Sequence, residues 1–319
     1  MQIIYKIDIL FICIYSFLIL LVGTVFTIAS QNLVFIGVTL VVEIIYLCFA
    51  LRRPYKRYRA LRQTTPKEWK QILTQCSSFY RNLDEEGQQR FERDIRIFLS
   101  NFSVEGQRRQ PVDIKMKLLV ASGFAALLHG RPEWEPPIKD GVLVYPGERF
   151  NRDYKIGKGM RAGQAGINSP LIVTEKSLEQ SFKNPDDGFN VIYHELAHYF
   201  DMEDGRAEGI PSTRMSPEKS QQLKTIIHRE WQKALQGHSF LGTYAGTNEA
   251  ETLAVAVEFF FENPYIVKIN NPDLYDALKD FFNIDTIKIM PPLKPLGEGS
   301  LYAAQIGGVG LHSSPDEGA

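Results

Sequence analysis

Residues 191–198 read VIYHELAH, and this stretch decides both the fold class and the chemistry that the sequence predicts. On an α-helix, residues four apart lie on one face, so His194 and His198 can each direct a ring nitrogen at one Zn²⁺ ion. Glu195 follows the first histidine directly, and its carboxylate can therefore reach a water molecule that the metal activates. The pattern predicts the metal-binding helix of a hydrolase.

The residues around this stretch are typical of helix ends. Asp186, Asp187 and Asn190 favour a helix start, and Asp204-Gly205 favours its end. The alternative interpretation is an amphipathic helix that carries two histidines on one face without binding a metal. Four further histidines have no partner at ligand spacing and are interpreted as structural or surface residues: His129, His228, His238 and His312.

A third metal ligand is expected downstream, because a catalytic zinc needs three protein ligands and one open position. Residues 248–258 read NEAETLAVAVE, in which Glu251 and Glu258 share one helix face within an apolar stripe. A carboxylate on such a face is costly unless it is paired or bound to a metal. The spacing leaves both glutamates open as the third ligand. Asp201 is a candidate for orienting a ligand histidine, with a surface acid at the helix end as the alternative.

Four stretches of the chain resemble the Mlc titration factor A family of zinc-dependent peptidases, the glucose-regulated metallopeptidases. The longest is HELAHYFDMEDG at residues 194–205. The others are VLVYPG at 142–147, YAGTNEAE at 244–251 and EFFF at 258–261. The resemblance extends over about residues 66 to 290 and is densest near the predicted metal site.

This resemblance implies one Zn²⁺ per chain, with Glu251 rather than Glu258 as the third ligand. It also implies that the hydroxyl of Tyr244 points into the site and stabilises the oxyanion of the transition state. The alternative for Tyr244 is an aromatic residue that only packs. The chain departs from the family at Asn248 and Glu249, where Asp-Pro is frequent, and in its apolar N-terminus.

Two apolar runs at the N-terminus predict a transmembrane hairpin. Residues 9–29 carry no charge, and residues 33–51 are interrupted only by Glu43. A helix of about 20 residues spans the hydrocarbon core of a bilayer. A cleaved signal peptide is the alternative for the first run, but that run is longer than a typical signal and a second one follows. Glu43 is interpreted as protonated or as paired with another helix in an oligomer.

Basic residues after the second run set the expected orientation. The link between the two runs is uncharged, so the positive-inside rule places both the N-terminus and the long C-terminal part in the cytoplasm. The chain is thus expected in the inner membrane as a multi-pass protein, and the basic cluster is expected near anionic headgroups. The cluster contains Arg52, Arg53, Lys56, Arg57, Arg59 and Arg62.

The remaining pattern predicts an α+β fold: a helix-rich, zincin-like metallopeptidase domain with a small sheet, preceded by two transmembrane helices. Residues 1–62 form the hairpin and its basic segment, 63–294 the peptidase domain and 295–319 a flexible tail. Two amphipathic helices are expected between Pro66 and Asn101, with Thr65 as cap, and a third from Asp113 to Leu128. Strands are expected at 141–146 and 171–174, the latter as the edge along which a peptide substrate pairs.

Composition excludes some function classes. The formal net charge of −1 gives no reason to expect a nucleic-acid partner. Three cysteines, of which only Cys76 lies outside the apolar runs, fit a reducing compartment. No apolar run of about 20 residues follows His198, which argues against a protease whose metal helix lies among membrane spans.

Together these features predict a membrane-anchored zinc peptidase that acts on a peptide or protein substrate. His194, His198 and Glu251 are the expected ligands, Glu195 the general base and Tyr244 the oxyanion donor. Aminopeptidase activity is one option for its specificity. The alternative function is a regulator-binding protein of peptidase-like fold that sequesters a transcriptional repressor or another partner. A purely structural zinc site would not need Glu195.

Overall fold

The computed structural model describes residues 1–106, 110–138, 141–146, 170–185 and 187–290. Asp186 and the predicted tail at 295–319 lie outside these ranges. Three short strands form one sheet: β1 (Val104–Gly106), β2 (Val142–Tyr145) and β3 (Leu171–Thr174). The helices are α1 (Lys6–Ser30), α2 (Val34–Ala50), α3 (Arg52–Leu61), α4 (Lys67–Cys76), α5 (Ser78–Asn82), α6 (Glu85–Asn101), α7 (Ile114–Leu127), α8 (Glu175–Lys183), α9 (Val191–Asp201), α10 (Pro217–Leu235), α11 (Glu249–Glu262), α12 (Pro264–Asn270) and α13 (Pro272–Phe282).

The two apolar runs form α1 and α2, which pack against each other as a hairpin. A Cβ atom on Gly23 would lie 2.0 Å from Oγ1 of Thr39, so the close approach of the helices requires glycine there. Large apolar side chains of both helices, such as Phe17, Ile28 and Phe49, point outward and are exposed. The hairpin therefore presents an apolar outer surface.

One N-terminal helix is long and apolar enough by itself to cross a membrane. This is α1, with 25 residues, and a signal sequence would have the same properties. α2 has 17 residues and reaches a spanning length only together with α3, from which a bend of 44° separates it. Of the two spanning helices expected from sequence, only α1 is thus clearly long enough. The second apolar run forms a shorter helix that bends at the basic segment.

The sheet is small and entirely parallel, in the order β1-β2-β3. Val142 at the start of β2 lies opposite Val104 of β1 and Leu171 of β3. The two strands predicted from sequence form β2 and β3. β1 was not predicted, because three residues are too few to give a periodic pattern. Among the described residues, β3 is an edge strand.

Three helices pass through the core beside the sheet and position the site. α7 is buried on almost every face, and α9 packs between α7 and α11. A Cβ atom on Gly123 of α7 would lie 2.1 Å from Cγ2 of Ile192, so glycine lets α9 approach closely. On the other side, Phe260 of α11 stacks on Phe282 of α13, and Phe261 meets the same ring edge-on. This packing fixes the orientation of α9 and α11 relative to each other.

The amphipathic region after the hairpin differs from the expectation of two helices. It forms three, because two capping side chains interrupt the chain. The Ser77 hydroxyl accepts from the Tyr80 N–H to start α5, and the Asp84 carboxylate accepts from the Gly87 N–H to start α6. α4 begins at Lys67 with Pro66 as its cap residue, one position later than expected. The third predicted helix is confirmed as α7, capped by Asp113.

Candidate metal centre

The metal-binding helix of the sequence prediction is α9. It begins at Val191, because the Asn190 side chain accepts hydrogen bonds from the N–H groups of Ile192 and Tyr193 at 3.1 and 3.3 Å. Its apolar face is buried in the core. His194, Glu195 and His198 lie on the opposite, half-buried face. The helix thus starts a few residues later than Asp187, and the three polar residues face the same side.

α11 brings a carboxylate to the same side. Asn248 caps this helix, since its side chain accepts from the N–H of Glu251 at 2.9 Å. Tyr244 lies just before α11, in a 3₁₀ turn. The Thr252 hydroxyl of α11 donates a hydrogen bond to the Ala245 carbonyl of this turn at 2.7 Å. Glu251 and Tyr244 therefore approach α9 from one neighbouring segment.

The side chains of His194, His198 and Glu251 converge on one point. Nε2 of His194 lies 3.2 Å from Nε2 of His198. Oε2 of Glu251 lies 3.1 Å from the first of these nitrogens and 3.5 Å from the second. Two atoms that bind one zinc ion tetrahedrally at about 2.0–2.1 Å are separated by roughly 3.3 Å. The three separations match this value.

The donor set also fits a metal chemically. Two imidazole nitrogens and one carboxylate oxygen are common ligands of catalytic zinc. Oε2 of Glu251 is buried and accepts no hydrogen bond of good geometry, although both imidazoles are near it. A cation at the point of convergence would satisfy this oxygen. Within the described part of the chain, this is the one cluster of three or more such residues with metal-ligand spacing.

Glu258 has a different position from Glu251, although the two share a helix face. Its side chain is 1% exposed, and Oε1 forms a short contact with Nδ1 of His194. Oε2 accepts a hydrogen bond from the N–H of Asn190 at 3.0 Å. Because Nδ1 of His194 faces Glu258, Nε2 of the same ring is directed at the convergence point. Glu251 thus lies at the convergence point, whereas Glu258 contacts the other nitrogen of the His194 ring. The spacing alone did not distinguish these two positions.

A second buried carboxylate supports this arrangement. Glu262 accepts hydrogen bonds from the Asn190 side-chain amide at 3.0 Å and from the Phe189 N–H at 3.1 Å. Burial raises the pKa of Glu262 well above its usual value. Sequence reasoning did not predict its role, because a lone glutamate at a helix end carries no spacing signal.

The carboxylates determine the electrostatics of the site. Burial alone would lower the pKa of His194, but the carboxylates of Glu258 and Glu251 raise it to about 10. Burial opposes ionisation of Glu251 as well, yet the neighbouring imidazoles of His194 and His198 hold its pKa well below the usual range. Burial raises the pKa of Glu195, which favours its role as a proton acceptor and donor.

Tyr244 also points into the site. Its ring centre lies 6.0 Å from that of His194. Burial and the neighbouring Glu251 carboxylate, to which it hydrogen-bonds, raise the pKa of the Tyr244 hydroxyl and keep it protonated. A protonated phenol beside the convergence point can donate a hydrogen bond to a substrate oxygen.

Asp201 does not orient a ligand histidine in this structure. Its two oxygens accept hydrogen bonds from the N–H groups of Gly209 and Ile210, at 2.9 and 2.6 Å. It therefore anchors the loop after α9, and Glu258 contacts His194 in its place. His129 contacts Arg90 and His228 contacts Glu249, and neither histidine belongs to the cluster of candidate ligands. His312 lies outside the described residues.

Comparison with known proteins identifies relatives over most of the chain. A family model described as glucose-regulated metallo-peptidase M90 matches residues 52–283. An uncharacterized protein of Synechocystis sp. is 26% identical over 249 residues, which is 73% of this chain and 90% of the relative. Mlc titration factor A of Pectobacterium atrosepticum is 28% identical over 160 residues, 46% of this chain and 60% of that protein. The protein of the same name from Yersinia pestis is 28% identical over 182 residues, 51% and 66%.

Proposed function

The chain belongs to the glucose-regulated metallopeptidase family M90, and from that premise we propose that it is a zinc-dependent peptidase with its active site between α9 and α11. The observation that carries the proposal is the convergence of His194, His198 and Glu251 at separations suited to one zinc ion, with Glu195 beside them. A metal site of structural purpose alone would not need that glutamate.

Each residue has a distinct task in the proposed mechanism. His194, His198 and Glu251 hold the zinc ion. When bound, zinc activates a water molecule and polarises the substrate carbonyl. The carboxylate of Glu195 takes the proton from the attacking water and passes it to the nitrogen of the leaving amine. The hydroxyl of Tyr244 donates a hydrogen bond to the oxyanion that develops on the substrate carbonyl.

An extended substrate pairs along β3 in this proposal. The N–H of Leu171 donates to the Gly141 carbonyl at 3.0 Å, so this residue faces β2. Backbone groups alternate along a strand, and those of Val173 therefore also face β2, whereas those of Ile172 face the open edge. The Ile172→Pro variant should raise KM and leave zinc binding unchanged. Proline at Val173 would damage the sheet itself, and unchanged kinetics of the Ile172 variant would exclude this edge.

The apolar hairpin anchors the peptidase to the inner membrane, with α1 and α2 in the bilayer at residues 9–29 and 33–51. Its exposed apolar side chains support this part of the proposal. In this proposal the peptidase domain, residues 63–294, faces the cytoplasm, which the basic residues after α2 support. Glu43 lies within α2 and remains outside the reaction.

A test of the peptidase uses the full chain in detergent, because Met1 and Tyr5 are buried against the rest of the protein. The parent and the Glu195→Gln variant are assayed for zinc content and for hydrolysis of amino-terminal and internally cleaved peptides. We expect one zinc per chain in both, with the variant slower by about 10²–10⁴-fold. Equal hydrolysis by both proteins would contradict the role of Glu195.

A second candidate function is the binding of a protein regulator. It is favoured by the similarity to proteins named Mlc titration factor A. The match covers 60% of the Pectobacterium atrosepticum protein and 66% of the Yersinia pestis protein. Full zinc content without hydrolysis by the parent chain would favour this function over the peptidase. Binding and hydrolysis are separable, because Glu195→Gln should remove only hydrolysis.

A further inference from the structure

The basic segment after α2 is divided by the structure into two parts with different roles. The sequence has six cationic residues there, and one of them, Arg57, is only 2% exposed. The other five are exposed on the outer side of α3 and the residue after it. This outer basic face consists of Arg52, Arg53, Lys56, Arg59 and Arg62.

Arg57 joins α3 to the start of α1 and to the peptidase domain. One guanidinium nitrogen, Nη1, donates to Asp8 at 3.0 Å and to the Ile3 carbonyl at 3.3 Å. The other, Nη2, donates to Glu135 at 2.6 Å. The guanidinium also lies 4.7 Å from the ring centre of Tyr5. A buried cation held by two carboxylates fixes the rotation of α3 about its axis.

The inner side of α3 is packed on the peptidase domain. Pro54 and Ala60 are buried, and α3 lies along α6. Nε of Arg96 on α6 donates to the Ala60 carbonyl at 3.1 Å. Because the inner side is fixed in this way, the outer basic face always points away from the domain.

The outer basic face is chemically suited to a lipid headgroup layer. No ion pair between described residues includes any of its five cations. Tyr55, which is 60% exposed, and Tyr58 lie among them, and tyrosine is enriched at membrane interfaces. α3, which carries most of this face, follows directly after the apolar end of α2, and a bend of 44° separates the two helices.

We infer that the outer basic face of α3 rests on the phosphate headgroups of anionic lipids and holds the peptidase domain at a fixed orientation to the bilayer. This inference rests on the proposed membrane anchoring of α1 and α2. Each near-surface cation contributes about a fivefold preference for an anionic over a neutral membrane surface. Arg57 transmits the fixed position of α3 to the domain.

The test uses the full chain with Tyr55→Trp as a reporter, reconstituted in vesicles that contain lipids brominated near the headgroup. Quenching is measured against the chain without the reporter, whose three tryptophans give the background. One vesicle set contains phosphatidylcholine only, and the other contains phosphatidylglycerol as well. We expect several-fold stronger quenching in the anionic set, and loss of that difference in 1 M salt, where the screening length is about 3 Å.

Charge variants make the test specific for α3. The difference between vesicle types should disappear in the variant Arg52→Gln, Arg53→Gln, Lys56→Gln, Arg59→Gln. It should persist in a control that removes four exposed cations elsewhere: Arg81→Gln, Lys176→Gln, Lys183→Gln, Arg229→Gln. Equal quenching of the Tyr55→Trp chain with its native charges in both vesicle types would overturn the inference. Release of the chain from vesicles by carbonate would instead overturn the membrane anchoring.

Discussion

α2 and α11 have similar compositions but opposite surroundings. Both are apolar runs that carry glutamate: Glu43 in α2, and Glu249, Glu251, Glu258 and Glu262 in α11. None of the 17 residues of α2 is buried by the protein, whereas twelve of the 14 residues of α11 are buried. Oε2 of Glu43 has no hydrogen-bond partner in the described structure, whereas Glu258 and Glu262 have partners for both oxygens.

The same sequence pattern, an apolar run that carries a carboxylate, therefore occurs in two different physical environments. In α11 the protein supplies hydrogen-bond partners for Glu258 and Glu262, and Glu251 lies at the candidate metal centre beside them. The apolar side chains of α2 are exposed, and the part of the chain that the structure describes does not cover them. Replacing Glu43, Glu251, Glu258 or Glu262 by glutamine removes the ionisable group at nearly constant volume, and therefore tests the difference directly.

The largest effect is expected for Glu251→Gln. A neutral amide is a poor ligand, and its loss leaves only two imidazoles at the convergence point. Zinc affinity, measured by competition with a chelator, should fall by more than the 10–100-fold typical of groups that only support a ligand. An unchanged affinity would remove Glu251 from the metal site.

Glu258→Gln should have the next largest effect. The charge that orients His194 and increases its basicity is lost, but all three ligands remain, so zinc affinity should fall by about 10–100-fold. The matched control is Glu249→Gln, on the same helix and paired with His228 away from the site. Equal affinities of the two variants would contradict the positioning role of Glu258.

Glu262→Gln should change the pH dependence of stability. The pKa of Glu262 is raised in the folded chain, so the carboxyl is neutral there at a pH where it is ionised in the unfolded chain. The parent chain therefore loses folding stability as pH rises above about 4.5, whereas the variant, which has no ionisable group there, does not. Thermal unfolding between pH 5 and 8 should favour the variant increasingly toward pH 8. A constant difference in Tm would contradict the buried, neutral state.

Glu43→Gln should have the smallest effect on the peptidase. Zinc affinity and hydrolysis should stay within about twofold of the parent, because α2 lies outside the packed domain and surface changes rarely exceed 0.5 kcal/mol. Retention in carbonate-washed vesicles should be equal or better, since a carboxylate in the bilayer is costly. A large loss of activity would place Glu43 in the reaction and break the contrast between the two helices.

The local parts of the site were predictable from sequence. His194, Glu195 and His198 lie on one helix, so their spacing alone places them together. The helix starts at Asn190 and Asn248 could be predicted for the same reason, since a capping residue acts within three residues of its own position.

The choice between Glu251 and Glu258 could not be derived from the spacing, because it depends on how α11 packs against α9. The hydrogen bond from the Asn190 amide to Glu262 joins residues 72 positions apart and gave no local signal. Arg57 looked like one surface cation among six, and only the packing of α3 on α6 shows that it is buried. Neither interpretation of Asp201 from sequence describes its contacts, because proximity to a ligand did not reveal that its buried oxygens face the loop at Gly209.

The most direct test of the proposed zinc peptidase is a titration of the metal-free full chain with zinc while peptide hydrolysis is followed. If His194, His198 and Glu251 form one catalytic centre, activity should rise linearly and stop rising at one equivalent of zinc per chain. Hydrolysis that persists without zinc, or that remains absent after one equivalent has bound, would contradict the proposal.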